Sequence, residues 1–214
     1  ATLNLIEVAF SGRTTVPVSS PPTDYELNIS RLSQCEFITA NCMSTRKSLE
    51  AVGGFDEHFT CAWREDSDLH FKFIEHSIPI FKADSAAVTH PVRKAPWGVS
   101  LLEQKKSMFN ALLYKKYPRL YREKIQAGPP WHYYFVVVSF LMFTAGSIAQ
   151  LQAVLLTGAL MWLTGSIRFI MKRLKSTSRT ASHISEMVFT SFLIPFLSVY
   201  WRLYGAWRFR VFFI

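Results

Sequence analysis

Between residues 132 and 167 the chain carries no Asp, Glu, Lys or Arg, and it includes Val-Val-Val, Phe-Leu-Met-Phe and Leu-Leu-Thr-Gly-Ala-Leu-Met-Trp-Leu. An uncharged apolar run of this length is membrane sequence. A single helix over all of it would be far longer than a hydrocarbon core is thick. Residues 133–150 and 153–170 each give roughly 27 Å at about 1.5 Å per residue, so the natural solution is a hairpin turning near Gln150-Leu151-Gln152.

The charges around this segment set its expected orientation. The chain has a formal net charge of +9, which in a soluble protein would raise nucleic acid as a partner. Here much of the excess flanks the apolar run, as Lys105, Lys106, Lys115, Lys116, Arg119, Arg122 and Lys124 before it and Arg168, Lys172, Arg173, Lys175 and Arg179 at its end. Basic residues at membrane edges are explained by topology and by anionic membrane lipids, so no nucleic-acid partner is expected. Both ends of the hairpin then belong in the cytoplasm. A third apolar stretch, residues 187–201, is shorter, contains Pro195 and is trailed by Arg202, Arg208 and Arg210. Crossing would export those arginines, so we expect an interfacial or re-entrant helix, with a third span as the alternative.

Up to Pro129-Pro130 the sequence has the character of a soluble α/β domain. Residues 1–33 mix an extended piece, residues 3–10, with a turn-rich run that reads as a connecting loop. Phe-Ile-Thr-Ala-Asn-Cys-Met reads as a strand and Ser-Thr-Arg-Lys-Ser-Leu-Glu-Ala-Val as a short helix stopped by Gly53-Gly54. A helix follows over residues 66–76. Ile-Pro-Ile-Phe and Ala-Ala-Val-Thr-His then read as two strands around the turn Lys-Ala-Asp-Ser. Residues 99–116 repeat apolar groups with lysines opposite, which fits an amphipathic helix on the membrane surface or one packed on the core. Cys35, Cys42 and Cys61 form no C-x-x-C pair, so reduced thiols are expected rather than a disulfide framework or zinc site. The chain begins at Ala1 rather than Met, and its natural start is expected upstream.

Residues 63–73, Trp-Arg-Glu-Asp-Ser-Asp-Leu-His-Phe-Lys-Phe, crowd Glu65, Asp66 and Asp68 together. Helix capping and the helix dipole account for one or two of these acids. They leave the third, with Trp63 and Arg64, without a reason.

The stretch from Phe37 through Gly-Gly-Phe-Asp-Glu to Trp-Arg-Glu-Asp-Ser-Asp-Leu resembles the C-terminal half of the catalytic domain of inverting, family 2 type glycosyltransferases. His-Pro-Val-Arg, the Lys-Lys-Tyr-Pro-Arg-Leu-Tyr-Arg-Glu stretch and the aromatic tail resemble membrane-anchored bacterial members. The resemblance covers residues 36–125 strongly and the tail moderately. It implies a partial GT-A fold, Rossmann-like in character, ahead of an α-helical membrane region. Residues 1–130 are then the acceptor-side part of the catalytic domain, 131–171 a transmembrane hairpin, and 172–214 a basic loop with an interfacial or re-entrant tail.

The resemblance further implies transfer of a sugar from a nucleotide-diphosphate-sugar donor to a lipid-linked or envelope glycan acceptor, on the cytoplasmic face of the bacterial inner membrane. Asp66 takes the position of the general base. A carboxylate in reach of a sugar hydroxyl speeds its attack typically 10²- to 10⁴-fold. Glu65 is expected to support it by like-charge coupling. Trp63 stacks on an acceptor sugar or is buried. Arg64, Asp68, Asn41 and Arg93 are expected near substrate, although Asp68 also suits a capping role and Arg93 a solvated one. His90 is the candidate ligand for Mg²⁺ or Mn²⁺, or a structural histidine. The family's donor half, with its metal-binding Asp-x-Asp, has no counterpart upstream of residue 36, and the main metal ligands are expected there. The rival reading is a non-catalytic membrane-anchored scaffold retaining part of the fold. A transporter subunit is disfavoured, because neither span carries a buried charge.

Overall fold

The computed structural model describes residues 6–213 as a small mixed α/β domain joined to three long apolar helices. A three-stranded sheet, ordered β2-β1-β3, is its centre. Strand β1 (Ala9–Thr15) lies between its partners, antiparallel to β2 (Cys42–Ser44) and parallel to β3 (Ile80–Thr89). Helix α1 (Asp24–Ser30) follows β1 and carries a complete capping box, Thr23 with Glu26. Helices α2 (Arg46–Ala51) and α3 (Glu65–Glu75) separate β2 from β3.

Several sequence expectations are corrected here. Residues 9–15, expected to run from an extended piece into a loop, form the central strand, and a residue without a side chain is required at Gly12. A Cβ at Gly12 would collide with the Asn41 side chain and the Ala86 carbonyl. The expected strand over residues 37–43 is shortened to Cys42–Ser44, because Thr39–Asn41 winds into a 3₁₀ turn. The two expected strands after residue 77 are one. Its pairing jumps from Gly12↔Ala83 to Arg13↔Ala87, so residues 84–86, with the second half of the expected turn, bulge out of a continuous strand. The residues of the expected extended piece before Ile6 lie outside the described residues.

The two helices around Gly53-Gly54 form as expected. Thr45 caps α2 by accepting from Ser48 N–H, and Gly53 and Gly54 both take positive φ after it. The acidic start of α3 sits at the positive end of its dipole. Leu69 and Phe73 pack under the sheet with Ala9, Phe37, Val52 and Ile78, whereas Phe71 faces a second core with Phe59, Phe109, Leu113 and Tyr121. One short helix thus serves two cores.

The amphipathic stretch breaks into α4 (Val99–Glu103), a 3₁₀ turn (Gln104–Met108) and α5 (Phe109–Lys116), followed by α6 (Pro118–Lys124). Then come α7 (Trp131–Ile148), α8 (Gln152–Leu174) and α9 (Ala181–Arg208). All three are long and apolar enough to cross a membrane. Helices α7 and α8 form the expected antiparallel pair, turning at Gln150. A Cβ at Gly146 or Gly158 would overlap the facing backbone at Leu155 or Phe143, so these glycines set the close approach.

Helix α9 is much longer than the expected 187–201 segment and runs through Pro195. Proline removes one helix hydrogen bond, a loss that packed neighbours can offset; Ile194, Pro195, Ser198 and Val199 are all buried. Both ends of α9 rest on the α/β domain. Near its start Gly98 N–H donates to Glu186 Oε1 at 2.7 Å, and at its end Gly205 packs on the backbone of Met108. Phe213, beyond α9, is buried against Tyr114 and Tyr121, with the Arg202 guanidinium 3.7 Å from its ring centre.

Candidate functional site

Helical geometry resolves the crowding of acids at the start of α3. Successive residues point about 100° apart, so Glu65, Asp66 and Asp68 leave the helix in three directions. Arg64, just before it, holds a left-handed backbone at φ 76°. That conformation is uncommon for a residue with a side chain. Asn110 on α5 braces it: its Oδ1 accepts from Arg64 Nε at 2.7 Å and from Trp63 Nε1 at 3.3 Å. The Arg64 guanidinium also lies 4.7 Å from the Trp63 ring centre. Burial lowers the pKa of Arg64 from its ordinary value.

Asp66 is half-buried, and its Oδ1 accepts from the Ser67 N–H at 2.6 Å and from the Ser67 hydroxyl at 3.3 Å. Its Oδ2 makes no hydrogen bond among the described residues. Its charge reaches Cys35 and Cys42, whose thiols are pushed up first by burial and then by Asp66. Cys35 lines a cavity of about 450 Å³ together with Ser11, Arg13, Glu36 and His70. At its rim Lys124 donates to Glu36 Oε2 at 2.6 Å and holds that carboxyl below its usual range.

Glu65 turns the other way, toward Cys61 and Lys106. Its Oε2 is buried without a hydrogen-bond partner among the described residues. Burial raises its pKa, and the Asp66 charge adds to the rise.

Asp68, expected near substrate, is 0% exposed. It is ion-paired to Lys116 and, at 3.5 Å, to Lys72. Its position is beneath the site. Asn41 donates through Nδ2 to the carbonyls of Arg13 at 3.1 Å and Ala86 at 2.9 Å, so its amide fastens β1 to the bulge of β3. Its Arg13 partner lines the same cavity as Cys35.

His90 and Arg93 are not brought to this place. His90 N–H donates to Thr15 O at the far end of β1, roughly 13 Å along the strand from Ser11 at about 3.3 Å per residue. Its Nδ1 is buried without a partner among the described residues. No three His, Cys, Asp or Glu side chains converge on a metal position among those residues. Arg93 lines a second cavity, against α1, α8 and α9.

Sequence reasoning missed Asn110 and the second cavity. Asn110 gave no signal, being one polar residue in an amphipathic stretch. Comparison with known protein families, curated proteins and solved structures finds no match for this chain.

Proposed function

We propose that this chain is the acceptor-side part of an inverting glycosyltransferase of the family 2 type, held at the cytoplasmic face of the bacterial inner membrane. The supporting motif is Gly-Gly-Phe-Asp-Glu followed by Trp-Arg-Glu-Asp-Ser-Asp-Leu, as quoted above. The observation that carries the catalytic role is the separation of the three acids. Asp68 is fully buried and consumed by ion pairs, and the half-buried Glu65 holds its unpartnered Oε2 out of solvent, whereas the half-buried Asp66 has its Oδ2 unengaged among the described residues.

In this reading an acceptor hydroxyl attacks the anomeric carbon of a nucleotide-diphosphate-sugar. The new C–O bond forms as the bond to the diphosphate breaks on the opposite face, and the nucleoside diphosphate leaves with the electron pair. Asp66 takes the hydroxyl proton. Backside displacement in one step inverts the anomeric centre. Asn110, through Trp63 and Arg64, holds the helix start from which Asp66 projects. No step is routed through a metal ion, whose main ligands are expected outside residues 36–125.

The three apolar helices support membrane association, and a membrane-bound enzyme fits a lipid-linked or envelope glycan acceptor. In this reading α7 and α8 cross the bilayer and α9 lies along its cytoplasmic surface, since both ends of α9 touch the same domain.

The test is Asp66→Asn in the full-length protein in its native membrane. Transfer should fall by about 10²- to 10⁴-fold with donor binding retained, because the amide keeps the shape and cannot accept the proton. A wild-type transfer rate would remove Asp66 from the mechanism.

A further inference from the structure

A cavity of about 570 Å³ lies where the α/β domain meets α8 and α9. Its walls come from α1, the loop before α4, the end of α8 and the first turns of α9, with Asp24, Arg93, Trp97, Arg173, His183 and Glu186 as the chemically telling residues. Arg173 bolts these elements together. Its guanidinium donates to Asp24 Oδ2 at 2.7 Å, Thr190 Oγ1 at 2.6 Å, Ser191 Oγ at 3.1 Å and Ser100 Oγ at 3.2 Å.

The carboxylates of the cavity are all spent on the protein itself. Asp24 is paired to Arg173, Glu26 accepts from Thr23 and Ser19, and Glu186 accepts from Gly98 N–H. Of the cations Arg173 is spent as well, whereas Arg93 and Lys94 are not. Arg93 and Lys94 make no ion pair or hydrogen bond among the described residues, and both are exposed on the wall. His183 is 5% exposed and lines the cavity, and its Nε2 is buried with no hydrogen-bond partner among those residues. An unpartnered buried imidazole beside two cations that have no ion-pair partner suits a ligand with negative charge and strong acceptor oxygens.

The same cavity has an apolar side, formed by Val92, Pro96, Trp97, Val99 and Met187. Trp97 is 52% exposed and Phe189 beside it 51% exposed, their ring centres 5.4 Å apart. An exposed aromatic pair containing Trp, at the junction of a domain with long apolar helices, is the kind of surface that suits headgroup depth in a membrane. We propose that this cavity binds the phosphate headgroup of a membrane lipid, with Arg93, Lys94 and His183 contacting the phosphate and the Trp97 side holding the first part of the acyl or prenyl chain. The site requires only membrane association and stands or falls independently of Asp66 and sugar transfer.

Calorimetric titration of the full chain in neutral detergent tests it. The probes are dihexanoyl phosphatidic acid, dihexanoyl phosphatidylcholine and inorganic phosphate. Saturable binding of phosphatidic acid is expected, at least tenfold tighter than either of the other two. Arg93→Gln with Lys94→Gln changes only exposed side chains, so folding is retained, and should weaken that binding at least tenfold. His183→Gln should weaken it as well. Equal binding of phosphatidylcholine would show an apolar contact alone, and inorganic phosphate binding as tightly as the lipid would show a free-anion site. Either result, or unchanged affinity in both the double variant and His183→Gln, overturns the proposal.

Discussion

The carboxylates of Asp56 and Asp68 share one cation: Lys116 Nζ lies 2.7 Å from Asp56 Oδ2 and also contacts Asp68 Oδ1. Asp56 belongs to Gly-Gly-Phe-Asp-Glu and Asp68 to the acidic start of α3, so one lysine from the end of α5 ties the two motif segments together. Burial pushes the Asp56 carboxyl up, but hydrogen bonds from Lys116 and His58 overcome this and hold it well below the usual carboxylate range. The Tyr117 hydroxyl is pushed above its ordinary range by burial and by the Asp68 charge.

Lys116→Met should therefore destabilise the protein by about 3–5 kcal/mol, because it strands Asp68 as a buried charge with only the more distant Lys72. Denaturant unfolding in detergent, followed by tryptophan fluorescence, measures this. The companion variant Asp68→Asn with Lys116→Met should recover a substantial part of the loss. A loss below about 1 kcal/mol for Lys116→Met would mean that the ion pairs are solvated and weak.

Glu65 gives a pH-dependent prediction of opposite sign to an ordinary paired acid. Its folded pKa is raised by burial, so the protonated form favours folding. The wild-type protein loses stability as pH rises from about 4.3, the ordinary glutamate value, through the raised folded value. Glu65→Gln carries no charge to bury. Its melting temperature should exceed that of wild type at pH 7, and the two should converge at pH 4. A variant less stable than wild type at pH 7 would show that the Glu65 charge is partnered.

The hairpin contact gives a steric prediction. Gly158→Val places a side chain into the backbone of Phe143, and overpacking of this kind costs typically about 1–3 kcal/mol. Leu160→Val, at a lipid-facing site 68% exposed, is the control and should be nearly silent. Thermal stability in detergent separates them, and equal behaviour of the two variants would dissolve the close α7–α8 packing.

Topology is checked by cysteine labelling after Cys35, Cys42 and Cys61 are replaced by serine. A cysteine at Gln152, in the hairpin turn, should react with an impermeant reagent applied to intact cells. Cysteines at Arg179 and Arg210, on either side of α9, should both stay protected until the membrane is permeabilised. External labelling at Arg210 alone would make α9 a third span and reverse the interfacial reading.

The α7–α8 hairpin could be read directly from the chain, because an uncharged apolar run of this length leaves few solutions in which every backbone group is satisfied. The α2 stop at Gly53-Gly54 and the start of α3 were legible for a similar reason. Caps, left-handed glycines and helical spacing are local chemistry that acts over a few residues. The Thr23 and Glu26 capping box was equally local, and its α1 was overlooked because prolines and serines around it read as loop.

What the tertiary structure decided depends on partners distant in sequence. That residues 9–15 form the central strand follows from Asn41 and Ala86 closing on Gly12, which no local pattern announces. That Asp68 is structural was likewise decided from outside α3, by Lys116 pairing with it, and the start of the helix is held by Asn110 through Trp63 and Arg64. The cavity at the start of α9 rests on Arg173, which reaches from α8 to Asp24 on α1 and to Thr190 and Ser191 on α9. The sequence by itself determined the elements whose stabilising contacts lie within a turn or two along the chain. The placement of charges was decided only in three dimensions, because a carboxylate is made structural or left reactive by whichever cation the fold brings to it.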